Sequence, residues 1–219
     1  MKHVFGLFVS ALLVLSVSGA EAVELAGRGS IGGSAGMMRF LSGEQLGESP
    51  KPRFMLQASF KYNVTDAWSA VVETGWGWNA YDSGTEGVDD TLATVIPTTI
   101  GVQYRMNLEE SILHPNVGAG IGLYSLGVKD TFNSWAYANQ GTQKLTWTKP
   151  GMYLRGGVEW IFSNGAAVNM DLAWHMILSN DDRFDRWGNQ NTSFAQFRVG
   201  ASYYFALTGG GGDASPDDE

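Results

Sequence analysis

Residues 151–174 read GMYLRGGVEWIFSNGAAVNMDLAW, and their period decides the fold. Up to Phe162 the apolar side chains Met152, Leu154, Val158, Trp160 and Phe162 fall on alternate positions, with Tyr153, Arg155, Gly157 and Glu159 between them. After Ser163-Asn164-Gly165 the alternation restarts, with Val168, Met170, Leu172 and Trp174 set against Asn169, Asp171 and Ala173. A period of two marks strands with one apolar face, and a short Asn-Gly connection makes two such runs a hairpin.

The same period extends in both directions. Phe54, Leu56, Ala58, Phe60 and Tyr62 alternate with Arg53, Met55, Gln57, Ser59 and Lys61. Trp68, Ala70, Val72, Thr74, Trp76 and Trp78 alternate with Ser69, Val71, Glu73, Gly75 and Gly77. In 94–105, Ile96, Ile100, Val102 and Tyr104 oppose Gly101, Gln103 and Arg105; in 113–124, Val117, Ala119, Ile121 and Leu123 oppose His114, Asn116 and three glycines. In 195–205, Phe197, Val199, Ala201, Tyr203 and Phe205 oppose Gln196, Arg198, Gly200 and Ser202, and 29–40 is a weaker eighth run. Strands of roughly ten to twelve residues match the ~9–11 that cross a bilayer at a tilt.

A soluble sandwich also alternates, so the aromatic side chains decide between the two. Tyr62, Trp68, Tyr104, Trp160, Phe162, Tyr203 and Phe205 fall at one end of their strands, and Phe54, Trp76, Trp78 and Trp174 toward the other. Two girdles of amphipathic rings flanking an aliphatic band fit the headgroup regions of a membrane. The connections alternate too: long at 41–52, 79–93, 125–149 and 179–192, short at 63–66, 106–111 and 163–166. The expected fold is all-β: an eight-stranded antiparallel up-and-down transmembrane β-barrel, with both termini on the short-turn, periplasmic side. Pro97 and Pro115 fall inside strands of a sheet without free edges, so each is expected at a bulge or where pairing ends.

Composition agrees. The chain has 219 residues, 29 of them glycine, only 16% charged and none cysteine, which removes disulfides, Cys-ligated zinc and thiol catalysis. A formal charge of −8 speaks against a nucleic-acid partner. Residues 1–22 read as a signal peptide: basic Lys2 and His3, an apolar run from Val4 to Val17, and the small-residue pattern Ala20-Glu21-Ala22. The barrel is expected over 27–205, and 206–219 as a disordered periplasmic tail, Gly-rich at Gly209 to Gly212 and then acidic.

The segments HPNVGAGIGLYS (114–125), GMYLRGGVEWIFSNGAAVNMDLAW (151–174) and FRVGASYYF (197–205) resemble the small OmpA-like eight-stranded outer membrane β-barrels. The resemblance covers about 27–205 and implies a place in the bacterial outer membrane, with lipid and lipopolysaccharide as surroundings. It also implies recognition by the barrel-assembly machinery, with Phe205 as part of the signal, although this chain continues for fourteen residues beyond Phe205.

The interior of an eight-strand barrel is just wide enough for its side chains to fill. Parity directs Arg53, Lys61, Glu73, Gln103, Arg105, Arg155, Glu159, Asp171, His175 and Arg198 inward, because a charge on the lipid side costs roughly 2–4 kcal/mol at the midplane. In the 151–174 hairpin Glu159 faces either Asn169 or Asp171, and Arg155 or Arg198 is the natural cation between carboxylates. The expectation is an ion network of Arg155, Arg198, Glu159 and Asp171 across the axis, either satisfying buried polar groups or gating a narrow pore. A Ser-His-acid hydrolase would need His175, Asp171 and Ser179 within hydrogen-bond reach, and no barrel-deacylase motif is present, so no catalysis and no cofactor or metal are expected. The loops, aromatic at Phe132, Trp135, Tyr137 and Trp147, acidic in 79–93 and charged in 179–192, suit surface contact with an unspecified extracellular ligand.

Overall fold

The alternating runs become eight antiparallel strands: β1 (Arg28–Phe40), β2 (Arg53–Asn63), β3 (Trp68–Tyr81), β4 (Thr91–Arg105), β5 (Leu113–Lys129), β6 (Thr146–Ile161), β7 (Ala166–Ile177) and β8 (Thr192–Ala206). The structure is a computed structural model describing residues 24–41, 50–81, 91–106, 111–129, 137–138, 143–144, 146–178 and 191–207. The expected signal peptide 1–22 and residues 208–219 of the expected tail lie outside them. Each strand pairs with the next, and β8 returns to β1 through the register Arg28↔Ala206 to Phe40↔Phe194, closing the sheet into a barrel. Closure removes the unpaired edge that an open sheet would present.

Six of the eight strands, at 13 to 17 residues, exceed the ten to twelve expected from sequence. The excess lies on the long-loop side, where alternation survives past the bilayer-spanning part. There β5 and β6 continue through Leu126↔Trp147 and Gly127↔Thr146, so the expected connection 125–149 narrows to 130–145. Within it Tyr137–Ala138 pairs with Gln143–Lys144. On the other side the connections are short, and Gly165, at φ +83, occupies the left-handed turn position of the β6–β7 hairpin.

A bulge sits at the rim of β2. Lys51 pairs with Ala80 and Met55 with Gly77, so Pro52, Arg53 and Phe54 oppose only Trp78 and Asn79. Arg53, expected inward, is therefore a solvent-exposed residue at the barrel mouth and does not lie deep in the lumen. Pro97 produces no bulge. Its ladder with β5 is continuous, and on the β3 side pairing lapses only opposite Gly75 and Trp76 before resuming at Gly77↔Val95, as one missing N–H dictates. Pro115 lies one residue beyond the last β4–β5 pair, Arg105↔Asn116, where that ladder ends.

The apolar face points out. Ile121, Leu172, Ile31, Leu154 and Ile100 are each more than half exposed to the surroundings, whereas a soluble barrel would bury them. Inside, glycines make room for large side chains. A Cβ on Gly120 would lie 2.6 Å from the Tyr153 ring, and one on Gly118 would lie 2.9 Å from Arg155 Nε. Gly120→Val is expected to lower stability by about 1–3 kcal/mol through overpacking, read as an earlier urea midpoint. An unchanged midpoint would mean that Tyr153 does not need the socket.

Candidate functional site

Tiers of side chains fill the lumen from the short-turn end to the long-loop end. At the short-turn end Glu159 on β6 is fully buried. It accepts from Lys61 Nζ on β2 at 2.8 Å, from Arg105 Nη2 on β4 at 3.0 Å and from the Tyr204 hydroxyl on β8 at 2.9 Å. Arg105 Nη2 also donates to the Tyr204 hydroxyl at 2.7 Å, and its Nη1 donates to the Asp66 carbonyl at 3.2 Å. One carboxylate thus joins β2, β4, β6 and β8 across the axis.

The middle tier centres on Glu73 of β3. Its Oε1 accepts from Arg155 Nη1 at 2.7 Å and from Arg198 Nη2 at 3.1 Å. Arg155 also donates to Gln103, and Arg198 to Gln57. Asp171 stands 3.5 Å from Arg198 Nε and accepts from Asn169 Nδ2 at 2.7 Å. Two guanidinium groups and two carboxylates interleave, as buried charges must if each is to keep a partner.

Above this lies an aromatic tier around His175 of β7. Its ring stacks on Phe194 at 4.4 Å between centroids and on Tyr153 at 5.5 Å, and Nδ1 hydrogen-bonds the Tyr124 hydroxyl at 2.9 Å. The long-loop end is largely apolar, with Asn79, Thr94 and Thr192 as its buried polar residues, although barrel interiors are ordinarily polar throughout. Met38, Phe40, Met55, Val95, Leu126, Ile177 and Phe194 form one buried cluster there, with Trp147 packed against it.

Of the nine ionisable residues assigned inward from sequence, Lys61, Glu73, Arg105, Arg155, Glu159, Asp171, His175 and Arg198 lie buried within the wall and Arg53 stands exposed at its rim; the buried eight do not form a single network. The expected set Arg155, Arg198, Glu159 and Asp171 divides. Glu159 pairs in register with Asn169, one of the two candidates, and takes its cations from Lys61 and Arg105. Arg155 and Arg198 go to Glu73 instead. The reason is spacing: four residues along a strand separate Arg155 from Glu159 by about 13 Å, which puts them on different levels. Tyr204, Tyr124, Gln57 and Asn63 were not singled out in sequence, though parity places each on the inner face. A tyrosine or glutamine inside a charged lumen draws less notice than a charge.

Of the His175, Asp171 and Ser179 set that an acyl transfer would need, the described residues His175 and Asp171 each have other partners. Asp171 is engaged by Asn169 and Arg198, His175 by Tyr124, and Ser179 lies outside the described residues. Among the described residues no group of three or more His, Cys, Asp or Glu is arranged to hold a metal ion.

On the outer face the girdle residues stand where parity put them. Tyr62, Trp68, Tyr104 and Tyr203 are exposed at the short-turn end, with Trp68 against Tyr104 at 5.0 Å. Trp160, Phe162 and Phe205 are partly exposed beside them, and Trp174 toward the opposite end. There Trp76 packs on Trp78 at 4.6 Å, and Phe54 on Trp78 at 5.8 Å.

A closed antiparallel barrel with an aliphatic outer band, aromatic girdles and a charged lumen defines a transmembrane β-barrel of the bacterial outer membrane. The chain belongs to the outer membrane protein beta-barrel domain family, whose model matches residues 7–205. Solved structures of the same fold include Neisserial surface protein A (14% identity, 82% of this chain and 99% of that one, TM-score 0.56). OprG of Pseudomonas aeruginosa is similar at 16% identity, over 84% of this chain and 98% of that one, TM-score 0.52. The attachment invasion locus protein Ail of Yersinia pestis, in complex with the heparin analogue sucrose octasulfate, follows at 13% identity, 82% and 99% coverage, and TM-score 0.51. A comparison with curated proteins gives no match.

Proposed function

We propose that this protein is a non-conducting, non-catalytic scaffold of the outer membrane that holds its long loops at the cell surface for contact with an external ligand or for envelope integrity. The observation that carries the reading is the filled lumen: the Glu159 tier, the Glu73 tier, the His175 stack and the apolar cluster succeed one another along the axis. Ion pairs that satisfy one another across the barrel hold the strands at fixed distances, and a rigid wall suits the presentation of loops. The names of Ail and Neisserial surface protein A describe attachment and surface location for those proteins. In this reading the aromatic residues of the 130–145 connection, Phe132, Trp135 and Tyr137, would supply the contact. Lipopolysaccharide would surround the loop end, and Phe205 would guide the assembly machinery.

Planar-bilayer recording tests this reading. Purified protein is expected to give no conductance steps above the protein-free baseline under applied voltage. Regular steps that vanish on heat denaturation would overturn it in favour of a narrow pore. A lipid A deacylation assay on the native protein and on His175→Ala is expected to show no turnover in either. Turnover that is lost in the variant would make the barrel an enzyme.

A further inference from the structure

The residues just before β1 do something that neither the barrel nor its loops require. Leu25 is buried, and it packs against Ile161 of β6, Ala167 of β7 and Tyr204 of β8, all of which face the lumen at its short-turn end. Its backbone is tied to the other side of the mouth. Asp66, in the β2–β3 turn, accepts through Oδ1 from the backbone N–H groups of Leu25 at 2.7 Å and Ala26 at 3.0 Å. Gly27, at φ +75, closes a tight turn in which Arg28 N–H donates to the Leu25 carbonyl at 2.9 Å, while Gly27 N–H donates to the Asn63 carbonyl at 2.8 Å. The segment therefore crosses the opening, anchored between β2 and β3 and seated against β6 to β8.

We propose that residues 24–27 are a stopper for the periplasmic mouth of the lumen and that Asp66 is its latch. Leu25 covers the Tyr204 side of the Glu159 tier with hydrocarbon, excluding water from ion pairs that weaken when solvated. Asp66 suits the task because one carboxylate oxygen can take both N–H groups, in charge-assisted bonds stronger than neutral ones. The latch also touches what it covers: the Asp66 carbonyl and the Asn63 side chain both accept from Arg105, and Asn63 Nδ2 donates to the Arg28 carbonyl at 2.9 Å. Withdrawing the segment would leave the barrel closed and open the lower lumen to the periplasm. This device is separate from the scaffold role, since a stoppered lumen could belong to a pore as well.

The chain has no cysteine, so one introduced thiol reports on access. Ser30 is buried, faces the lumen beside Tyr204 and Lys61, and takes no part in the stopper contacts. Folded Ser30→Cys protein in detergent, checked by its heat-dependent gel shift, is treated with a small charged methanethiosulfonate reagent. Slow labelling is expected, against fast labelling of Val64→Cys in the exposed turn. Adding Asp66→Ala or Leu25→Ser is expected to speed Ser30→Cys labelling at least about tenfold, the factor that 1.4 kcal/mol of lost latching gives. Asp66→Asn, which keeps an acceptor oxygen, is expected to stay close to the slow rate. Equal rates with and without Asp66→Ala and Leu25→Ser would overturn the proposal, as would labelling of Ser30→Cys alone at the Val64→Cys rate. If a double variant fails to fold, Asp66→Ala is combined instead with a thiol at Ser202, on the inner face of β8, and the same comparison decides.

Discussion

Glu73→Ala is expected to destabilise the barrel by about 3–5 kcal/mol, because it removes the shared acceptor of two buried cations. Arg155 and Arg198 reach the same Glu73 oxygen, and both guanidinium groups are nearly sealed from solvent. Without Glu73 the two arginines repel each other in a space with little water. They are not affected equally. Arg198 still has Asp171 at 3.5 Å and the Gln57 side chain, whereas Arg155 keeps only the neutral amide of Gln103 among the bonds described. Arg155→Ala added to Glu73→Ala should therefore recover more stability than Arg198→Ala does. A double-mutant cycle between Glu73 and Arg155 should give a coupling of up to about 3 kcal/mol. The measurement is urea unfolding followed by the fluorescence of the eight tryptophans. A loss below about 1 kcal/mol for Glu73→Ala would show that water or a rearranged Asp171 replaces the carboxylate.

The division into tiers also explains why the chain carries so many inward glycines. Arg155, Tyr153 and Tyr124 lean over the strand beside their own, and a Cβ at Gly118, Gly120 or Gly151 on that neighbouring strand would collide with each of them in turn. Large and small residues alternate around the wall for this reason, as they must where an eight-strand interior is filled by side chains alone. The scaffold reading and the lumen chemistry are thus one property. In the proposed reading, side chains tied to one another across the axis hold the wall in shape, and planar-bilayer recording tests whether they also block a solute.

Parity along each strand made the fold legible from sequence. Leu154 and Arg155 differ by one position and need opposite environments, and only a two-faced wall provides both. The girdles were legible for the same reason, since rings such as Trp68 and Tyr203 sit at strand ends on the outward parity. What parity does not give is level. It placed Glu159 and Arg155 on one face but could not show that register hands Arg155 to Glu73, on the non-neighbouring strand β3. Shear between strands sets which inward residues meet, and shear appears only when the pairing is known. The stopper was hidden for a different reason. Leu25 and Ala26 precede the first alternating run and have no period, so nothing local marks the burial of Leu25, and the backbone of both is held by Asp66, some forty residues away in the chain.

A second large effect is expected one residue from a native arginine. Leu154 stands on the outer face of β6, 56% exposed, six residues from Trp160 of the girdle and the same distance from Thr148, whose hydroxyl pairs with that of Ser125 near the loop side. That places it near the middle of the aliphatic band. Leu154→Arg is expected to cost about 2–4 kcal/mol in vesicles, the penalty for arginine facing hydrocarbon at the midplane. Arg155 escapes the penalty because Glu73 and Gln103 receive it inside; a guanidinium at 154 has only acyl chains, and its tether is too short to reach the headgroups from that depth. Val64→Arg, in the exposed β2–β3 turn, supplies the comparison and should change stability by no more than about 0.5 kcal/mol. Unfolding in phospholipid vesicles by guanidinium, with native protein, Leu154→Arg and Val64→Arg side by side, separates the cases. If Leu154→Arg matches Val64→Arg, the outer band meets water and not lipid at this depth. If it falls by the expected amount, the sign of the whole barrel, hydrocarbon outside and charge within, is fixed by two adjacent residues of one strand.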